Sequence, residues 1–182
     1  MITAVTGGIA EGKSTVMGYL AELGFRTLSA DSLARDVFLD RYVNRLIAET
    51  VGVGTAIDSR ELREVLFQSQ SARRAVNRIM HPRIVEAMMR SGADFVEVPL
   101  LIETCLQGVF DSVWVVTCGY DEQKKRLLLR YGQTASVDQI VGAQLPSEVK
   151  IAFADVVIRT NCSHEAVRRY ISLALQSRLG LG

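Results

Sequence analysis

A chain of 182 residues, 48% hydrophobic and 23% charged, has the make-up of an ordinary globular protein with enough length to bury one sizeable core. A formal net charge of +1 leaves no electrostatic footprint for bulk nucleic-acid binding. Three cysteines (Cys105, Cys118 and Cys162) and two histidines (His81 and His164), without metal-type spacing, argue against a disulfide framework and a zinc site. No apolar run nears bilayer length and no basic leader opens the chain, so it reads as a cytoplasmic protein with buried or half-buried thiols.

In chain order, residues 2–5 form a short apolar run of β type, and residues 6–15 follow as T-G-G-I-A-E-G-K-S-T. The latter contains G-x-x-x-x-G-K-S/T as Gly7, Gly12, Lys13 and Ser14, the phosphate-binding loop of P-loop NTPases. Small residues let successive N–H groups turn inward toward a polyphosphate, and the helix starting near Lys13 adds the positive end of its dipole. Lys13 can bridge the β- and γ-phosphates as a point charge, and the Ser14 hydroxyl can ligate the Mg2+ that accompanies ATP. The loop's strand–loop–helix setting supports the reading, because residues 14–23 have Val16, Leu20 and Leu23 on one helical face. Glu11 is the unexpected member: an acid in a phosphate loop is expected to turn toward solvent or a lid.

Gly24 ends that helix, and residues 25–30 read as a second strand. Asp31 opens a helix to about residue 40, where its carboxylate can cap free amides or face a ligand at the carboxyl end of the strand. Residues 42–89 are helical by periodicity, carried by Val43, Leu46, Ile47, Leu62, Val65, Leu66, Val76 and Ile79. Their arginines (Arg60, Arg63, Arg73, Arg74 and Arg78) suit a solvated face, and residues 52–54 suit a flexible joint. Residues 94–98, 112–117 and 154–158 complete five strands; the fourth is apolar on both faces, as a strand buried between helical layers is. A helix over 120–131 carries Arg126 and Arg130, residues 132–150 form a Gly-hinged segment, and a last helix spans 163–178. Strands alternating with helices predict a single α/β domain with a parallel sheet: core 1–40, 94–120 and 151–182, a helical acceptor-binding insertion at 41–93, and a lid at 121–150.

GTPase signatures N-K-x-D and D-x-x-G are missing from the sequence, whereas a hydroxyl-facing carboxylate, an insertion and a basic lid suit a small-molecule kinase. Five blocks narrow this further. They are residues 6–15; S-A-D-S-L-A-R at 29–35; Met80-His81-Pro82-Arg83-Ile84; V-P-L-L-I-E at 98–103; and Ala143-Gln144, Lys150, Ala154-Asp155 and Asn161 in order. Together they resemble the dephospho-CoA kinases, from Val5 to about Asn161. The resemblance implies phosphoryl transfer from Mg2+-bound ATP to the ribose 3′-hydroxyl of dephospho-CoA, by a monomer or weak homo-oligomer that needs neither nucleic acid nor membrane.

The resemblance places ATP on Gly8, Ala10, Glu11, Gly12, Lys13, Ser14, Thr15, Arg130 and Asn161, with Ser14 on the metal. It makes Asp31 the base or orienter of the hydroxyl, and gives catalytic roles to Lys13 and Arg130. It assigns Arg35, His81 and Glu103 to the acceptor. Residue chemistry leaves other readings beside these. Arg35 could pair with Asp31 one turn away, and His81 could cap a helix that Pro82 begins. Arg126 and Arg130 could form a wet basic face. Glu97 could reach the metal through water, and Gln144 and Lys150 fall in the lid match. Departures from the family pattern are Ala10 for a frequent Gly, Glu11 for a small or hydroxyl residue, Tyr131 for an acid, and a weak match over 132–142.

Overall fold

The computed structural model describes residues 1–132 and 136–178. Residues 133–135 of the expected lid therefore lie outside the described residues. The strands β1 (Thr3–Thr6), β2 (Thr27–Ser29), β3 (Phe95–Glu97), β4 (Ser112–Thr117) and β5 (Val156–Arg159) form a parallel sheet in the order β2-β3-β1-β4-β5. Among the described residues the helices are α1 (Lys13–Glu22), α2 (Ala30–Leu39), α3 (Arg41–Val51), α4 (Ser59–Gln68), α5 (Gln70–Arg90), α6 (Tyr120–Tyr131), α7 (Val137–Gly142), α8 (Ser147–Ile151) and α9 (His164–Arg178). None of them is long and apolar enough to cross a membrane. The chain divides into two compact units, a helical one over Ser29–Gly92 and a sheet-bearing one made of what precedes and follows it.

In the sheet unit, β1 is central, paired with β3 on one side and β4 on the other. Strand order reverses there, and the crevice beyond the carboxyl end of such a strand is where open α/β sheets bind ligands. All four β1 residues are buried, as a strand covered on both faces requires. Val5, Leu20, Phe95, Trp114, Ile158 and Ile171 build the core. Phe25, Phe95 and Trp114 meet edge-on, with centroids 5.2 and 5.1 Å apart. Val16 and Leu20 of α1 face this core, but Leu23 is 54% exposed: it lies past the helix end, where Gly24 at φ 89° turns the chain away. Asp155 clamps the start of β4 by accepting from the Val113 amide (2.7 Å) while its own amide donates to the Val113 carbonyl (2.9 Å). The 132–150 segment holds two short helices, α7 and α8, too brief to show a helical period in sequence.

The helical unit has its own core of Phe38, Val43, Ile47, Ala48, Ile57 and Val76. Phe38 lies on α2, so that helix belongs to the unit, which begins at Ser29 rather than at residue 41. Asp40, Asp58 and Ser69 cap α3, α4 and α5. The Gly52-Val53 stretch is a helix stop rather than a flexible joint. Gly52 sits at φ 81°, and both its amide and that of Val53 return to the Ala48 carbonyl at 3.0 Å. Arg60, Arg63, Arg73, Arg74 and Arg78 are exposed, as a solvated face would have them. Of the cysteines, all free, only Cys118 is buried; Cys105 and Cys162 are exposed, against the expectation of covered thiols.

Candidate active site

The loop between β1 and α1 is shaped by what surrounds it. A side chain at Gly7 (φ 151°) would place its Cβ 2.2 Å from the Val116 carbonyl of β4, so the strand backbone excludes anything larger. Gly12 is left-handed (φ 96°), and a Cβ there would press on Thr160 at 3.0 Å. Lys13, the first residue of α1, is 8% exposed, and its ammonium donates to the carbonyls of Gly7 (3.1 Å) and Gly8 (2.9 Å). No side chain caps α1, so the positive end of its dipole is left without an acidic cap and suits an anion. Ser14 and Thr15 are exposed, and their hydroxyls make no hydrogen bond among the described residues.

Of the two directions expected for Glu11, solvent or the lid, it does not take the first; it turns partly toward the second, since Ser147 lies in the 121–150 segment read as lid. It is 1% exposed and folds beneath the loop. One carboxylate oxygen accepts from the Gly8 amide; the other accepts from Thr117 Oγ1 (2.9 Å) and from Ser147 Oγ of α8 (2.7 Å). The Gly8 and Thr117 donors were not expected: electrostatic repulsion does not exclude a carboxylate tucked behind the loop and satisfied by donors. Ala10 takes a left-handed backbone, φ 61°, where glycine is favoured.

Polar side chains brace the loop from other elements. Gln123 of α6 donates to the Ile9 carbonyl (2.9 Å), and Gln144 accepts from the Ile9 amide (2.9 Å). Arg126 is neither a wet nor an open cation. It donates to the Thr160 carbonyl (2.6 Å), to Thr160 Oγ1 (3.1 Å) and to the Ala10 carbonyl (3.4 Å), and it pairs with Glu122 (3.0 Å). Thr160 Oγ1 in turn donates to the Glu11 carbonyl (2.6 Å). Arg130, one turn beyond Arg126, is exposed and lies over the Tyr131 ring, 5.3 Å from its centroid. Asn161 follows Thr160 and is exposed. Glu97 is half-buried at the end of β3.

Asp31, Arg35 and His81 lie in the helical unit, on α2 and α5, which pack against one another. Ser29, not Asp31, caps α2, accepting from the Ser32 amide at 3.4 Å. The capping reading of Asp31 therefore falls away, and its exposed carboxylate stands in the first turn. Asp31 and Arg35 form no ion pair, so the pairing reading of Arg35 falls away too. His81 does not open a helix. It lies half-buried within α5, which runs through Pro82 from Gln70 to Arg90. Proline removes one amide from the ladder there, and the Arg83 guanidinium donates to the Ile79 carbonyl one turn back (2.7 Å).

Residues 1–165 match the family model described as dephospho-CoA kinase. The chain belongs to the dephospho-CoA kinase family. A dephospho-CoA kinase from Carboxydothermus hydrogenoformans is 35% identical over 96% of this chain and 93% of its own. One from Geobacillus kaustophilus is 36% identical over 94% of each. A protein of Thermus thermophilus, solved by crystallography, shares the fold with a TM-score of 0.80 and 28% identity over 97% of both chains.

In this chain, the P-L-L-x-E block ends in an interlocked pair rather than an open carboxylate. Glu103 pairs with Lys150 at 2.8 Å and accepts from the Leu145 amide at 3.0 Å. Lys150 is fully buried and also donates to the Pro99 carbonyl (3.2 Å). Burial works to raise the Glu103 pKa, but the Lys150 hydrogen bond and the amides of Glu103 and Leu145 outweigh it and hold the carboxyl below its ordinary range. Cys118, directly after β4, has its thiol pushed up to about 11, chiefly by burial, and stays protonated at neutral pH. Thr117, Gln123, Ser147 and Thr160 escaped the sequence reading. A lone hydroxyl or amide carries no spacing signal, and their partners lie up to 149 residues away in the chain.

Proposed function

We propose that the sheet unit carries the ATP site and that the acceptor residues are Asp31, Arg35 and His81 of the helical unit together with Glu103 of the sheet unit. The enzyme transfers the γ-phosphoryl group of ATP to the ribose 3′-hydroxyl of dephospho-CoA, giving coenzyme A and ADP in the last step of coenzyme A biosynthesis. The observation that carries this is the loop itself: a phosphate cradle braced by Glu11, Gln123, Gln144 and Arg126, with Lys13 at the uncapped start of α1.

Lys13 leaves the loop carbonyls for the β- and γ-phosphates as charge shifts between them. The loop backbone and the start of α1 cradle the phosphate chain, and the uncommitted Ser14 hydroxyl suits the Mg2+ that neutralises the nucleotide. Asp31 orients the 3′-hydroxyl and takes its proton as the O3′–P bond forms and the bond to the ADP oxygen breaks. In a loose transition state, orientation contributes more than basicity. Arg35 and His81 hold the acceptor. Arg130 closes on the phosphates and Asn161 contacts the adenine. Glu103 serves the acceptor through the Lys150 frame, not by an open carboxylate. ATP and dephospho-CoA are the partners this requires of a cytoplasmic enzyme.

The deciding experiment is ADP release with dephospho-CoA, adenosine, AMP or no acceptor. Turnover with dephospho-CoA alone is expected. Turnover with AMP but not dephospho-CoA would sink the assignment of the acceptor, and acceptor-independent hydrolysis would sink the kinase reading.

A further inference from the structure

We propose that Glu11 is a positioning residue for the nucleotide. Its carboxylate sets the curl of the phosphate loop and ties the loop to α8, so that the cradle and the base of the lid form one piece. The inference rests on the donor-site reading above.

Three observations carry it. First, Glu11 is 1% exposed, and the three donors it accepts from (the Gly8 amide, Thr117 Oγ1 and Ser147 Oγ) are all neutral and arrive from the loop, β4 and α8. A carboxylate is suited to such a place because two oxygens can serve three donors at once. A hydroxyl residue could satisfy the Gly8 amide but could not also span to the other two.

Second, its partners are themselves fixed. Thr117 Oγ1 accepts from the Gly119 amide (3.2 Å), and α8 is held by Lys150 to Glu103 and to the Pro99 carbonyl. Glu11 therefore joins the loop to anchored points and not to mobile ones.

Third, the segment around α8 reaches the loop at a second place, where Gln144 accepts from the Ile9 amide. The Glu11 main chain is gripped as well, by Thr160 on its carbonyl. The segment 143–150, expected to be part of a moving lid, is thus moored to the loop and to the frame beneath it.

The test is ATP affinity of the full-length protein without acceptor, measured by calorimetry with a non-hydrolysable ATP analogue, alongside thermal melting and the KM for dephospho-CoA. Glu11→Ala leaves buried donors without an acceptor and is expected to weaken nucleotide binding about tenfold or more. Glu11→Gln keeps the reach and can accept from Gly8 while donating to a hydroxyl, so affinity within about twofold of the parent is expected. Ser147→Ala cuts only the tie to α8 and is expected to weaken nucleotide binding about threefold, with melting unchanged. None of the three should alter the KM for dephospho-CoA.

Parental affinity in a folded Glu11→Ala protein would overturn the proposal, as would a loss in Glu11→Gln equal to that in Glu11→Ala. If Glu11→Ala does not fold, parental affinity in Ser147→Ala overturns the tie to α8. Because ATP alone is titrated, a wrong acceptor assignment leaves this test intact, whereas a parent protein that binds no ATP analogue would sink the donor reading itself.

Discussion

The two units treat their polar residues in opposite ways. Around the phosphate loop, Glu11, Lys13, Gln123 and Lys150 are all buried, and each is held by named partners. In the helical unit, Asp31 and Arg35 are exposed, His81 is half-buried, and none of the three has a hydrogen bond or ion pair among the described residues. A site for a polyphosphate needs amides fixed in advance, because reorganising them on binding would consume the affinity they supply. On the proposed function, groups kept for a hydroxyl substrate gain by being uncommitted: a carboxylate already paired would have to break that pair before it could orient anything. Substitutions of the buried residues in the first region should therefore disturb folding and nucleotide binding together, and those in the second should disturb acceptor binding or turnover without moving stability.

The sharpest way to break this contrast is to compare Asp31→Asn with Lys13→Ala. Asp31→Asn is expected to lower turnover by roughly 10²–10⁴, the usual range for a general base, with ATP affinity and melting temperature unchanged. Lys13→Ala should lose ATP affinity as well as turnover. Parallel steady-state kinetics and ATP titrations decide it, and near-normal turnover in Asp31→Asn would make that carboxylate structural.

Next in size is the buried pair. Lys150→Ala removes the cation from Glu103 and should destabilise the protein by about 3–5 kcal/mol in urea unfolding, since it strands a covered carboxylate. The same pair predicts a pH dependence. The Glu103 pKa is lowered from its ordinary 4.5, so its contribution is complete above that value and is lost as the pH falls through the folded-state value. Glu103→Gln should be less stable than the parent at neutral pH, and the gap should narrow as the pH falls below the ordinary 4.5. A constant gap across that range would assign the pair's effect to packing instead of charge.

A smaller effect separates two arginines that the sequence treats alike. Arg35→Ala should raise the KM for dephospho-CoA about tenfold, the usual scale of a charged hydrogen bond, without moving the melting temperature. Arg126→Ala should lower the melting temperature and weaken ATP binding, because it releases Thr160 and the Ala10 carbonyl. A KM effect on dephospho-CoA from Arg126→Ala, or a stability effect from Arg35→Ala, would blur the distinction between the units.

Much of this architecture can be read from local signals. The loop follows from Gly7, Gly12, Lys13 and Ser14 in a strand–loop–helix setting, and the buried β4 follows from its apolar β-branched run. The helical unit follows from the period of Val43, Ile47 and Val76. What could not be read is set by contacts distant in sequence. Glu11 meets Thr117 across 106 residues and Ser147 across 136, so local electrostatics could only turn it away from the phosphates, toward solvent or the lid, and not under the loop. Proline before an apolar run normally marks a helix start, yet α5 continues through Pro82, because packing on α2, α3 and α4 outweighs one lost amide. Asp31 looked like a cap because the rule for caps names residue types, while Ser29 stands two places earlier in the position that counts.

The smallest expected effect concerns Ala10, the one loop residue that departs from glycine and also adopts a left-handed backbone, at φ 61°. A residue with a Cβ in that conformation carries about 1–2 kcal/mol of strain. Glycine there would relieve it but would lose about 0.5–1 kcal/mol to the greater freedom of its unfolded chain. The two nearly offset, so Ala10→Gly should leave the melting temperature unchanged or raise it by about 2–4 °C. ATP affinity should stay within about twofold, because the Ala10 carbonyl bound by Arg126 is retained. A clear fall in melting temperature would show that the methyl group contributes packing worth more than the strain. The rigidity of the cradle would then come from that contact as well as from the polar frame beneath it.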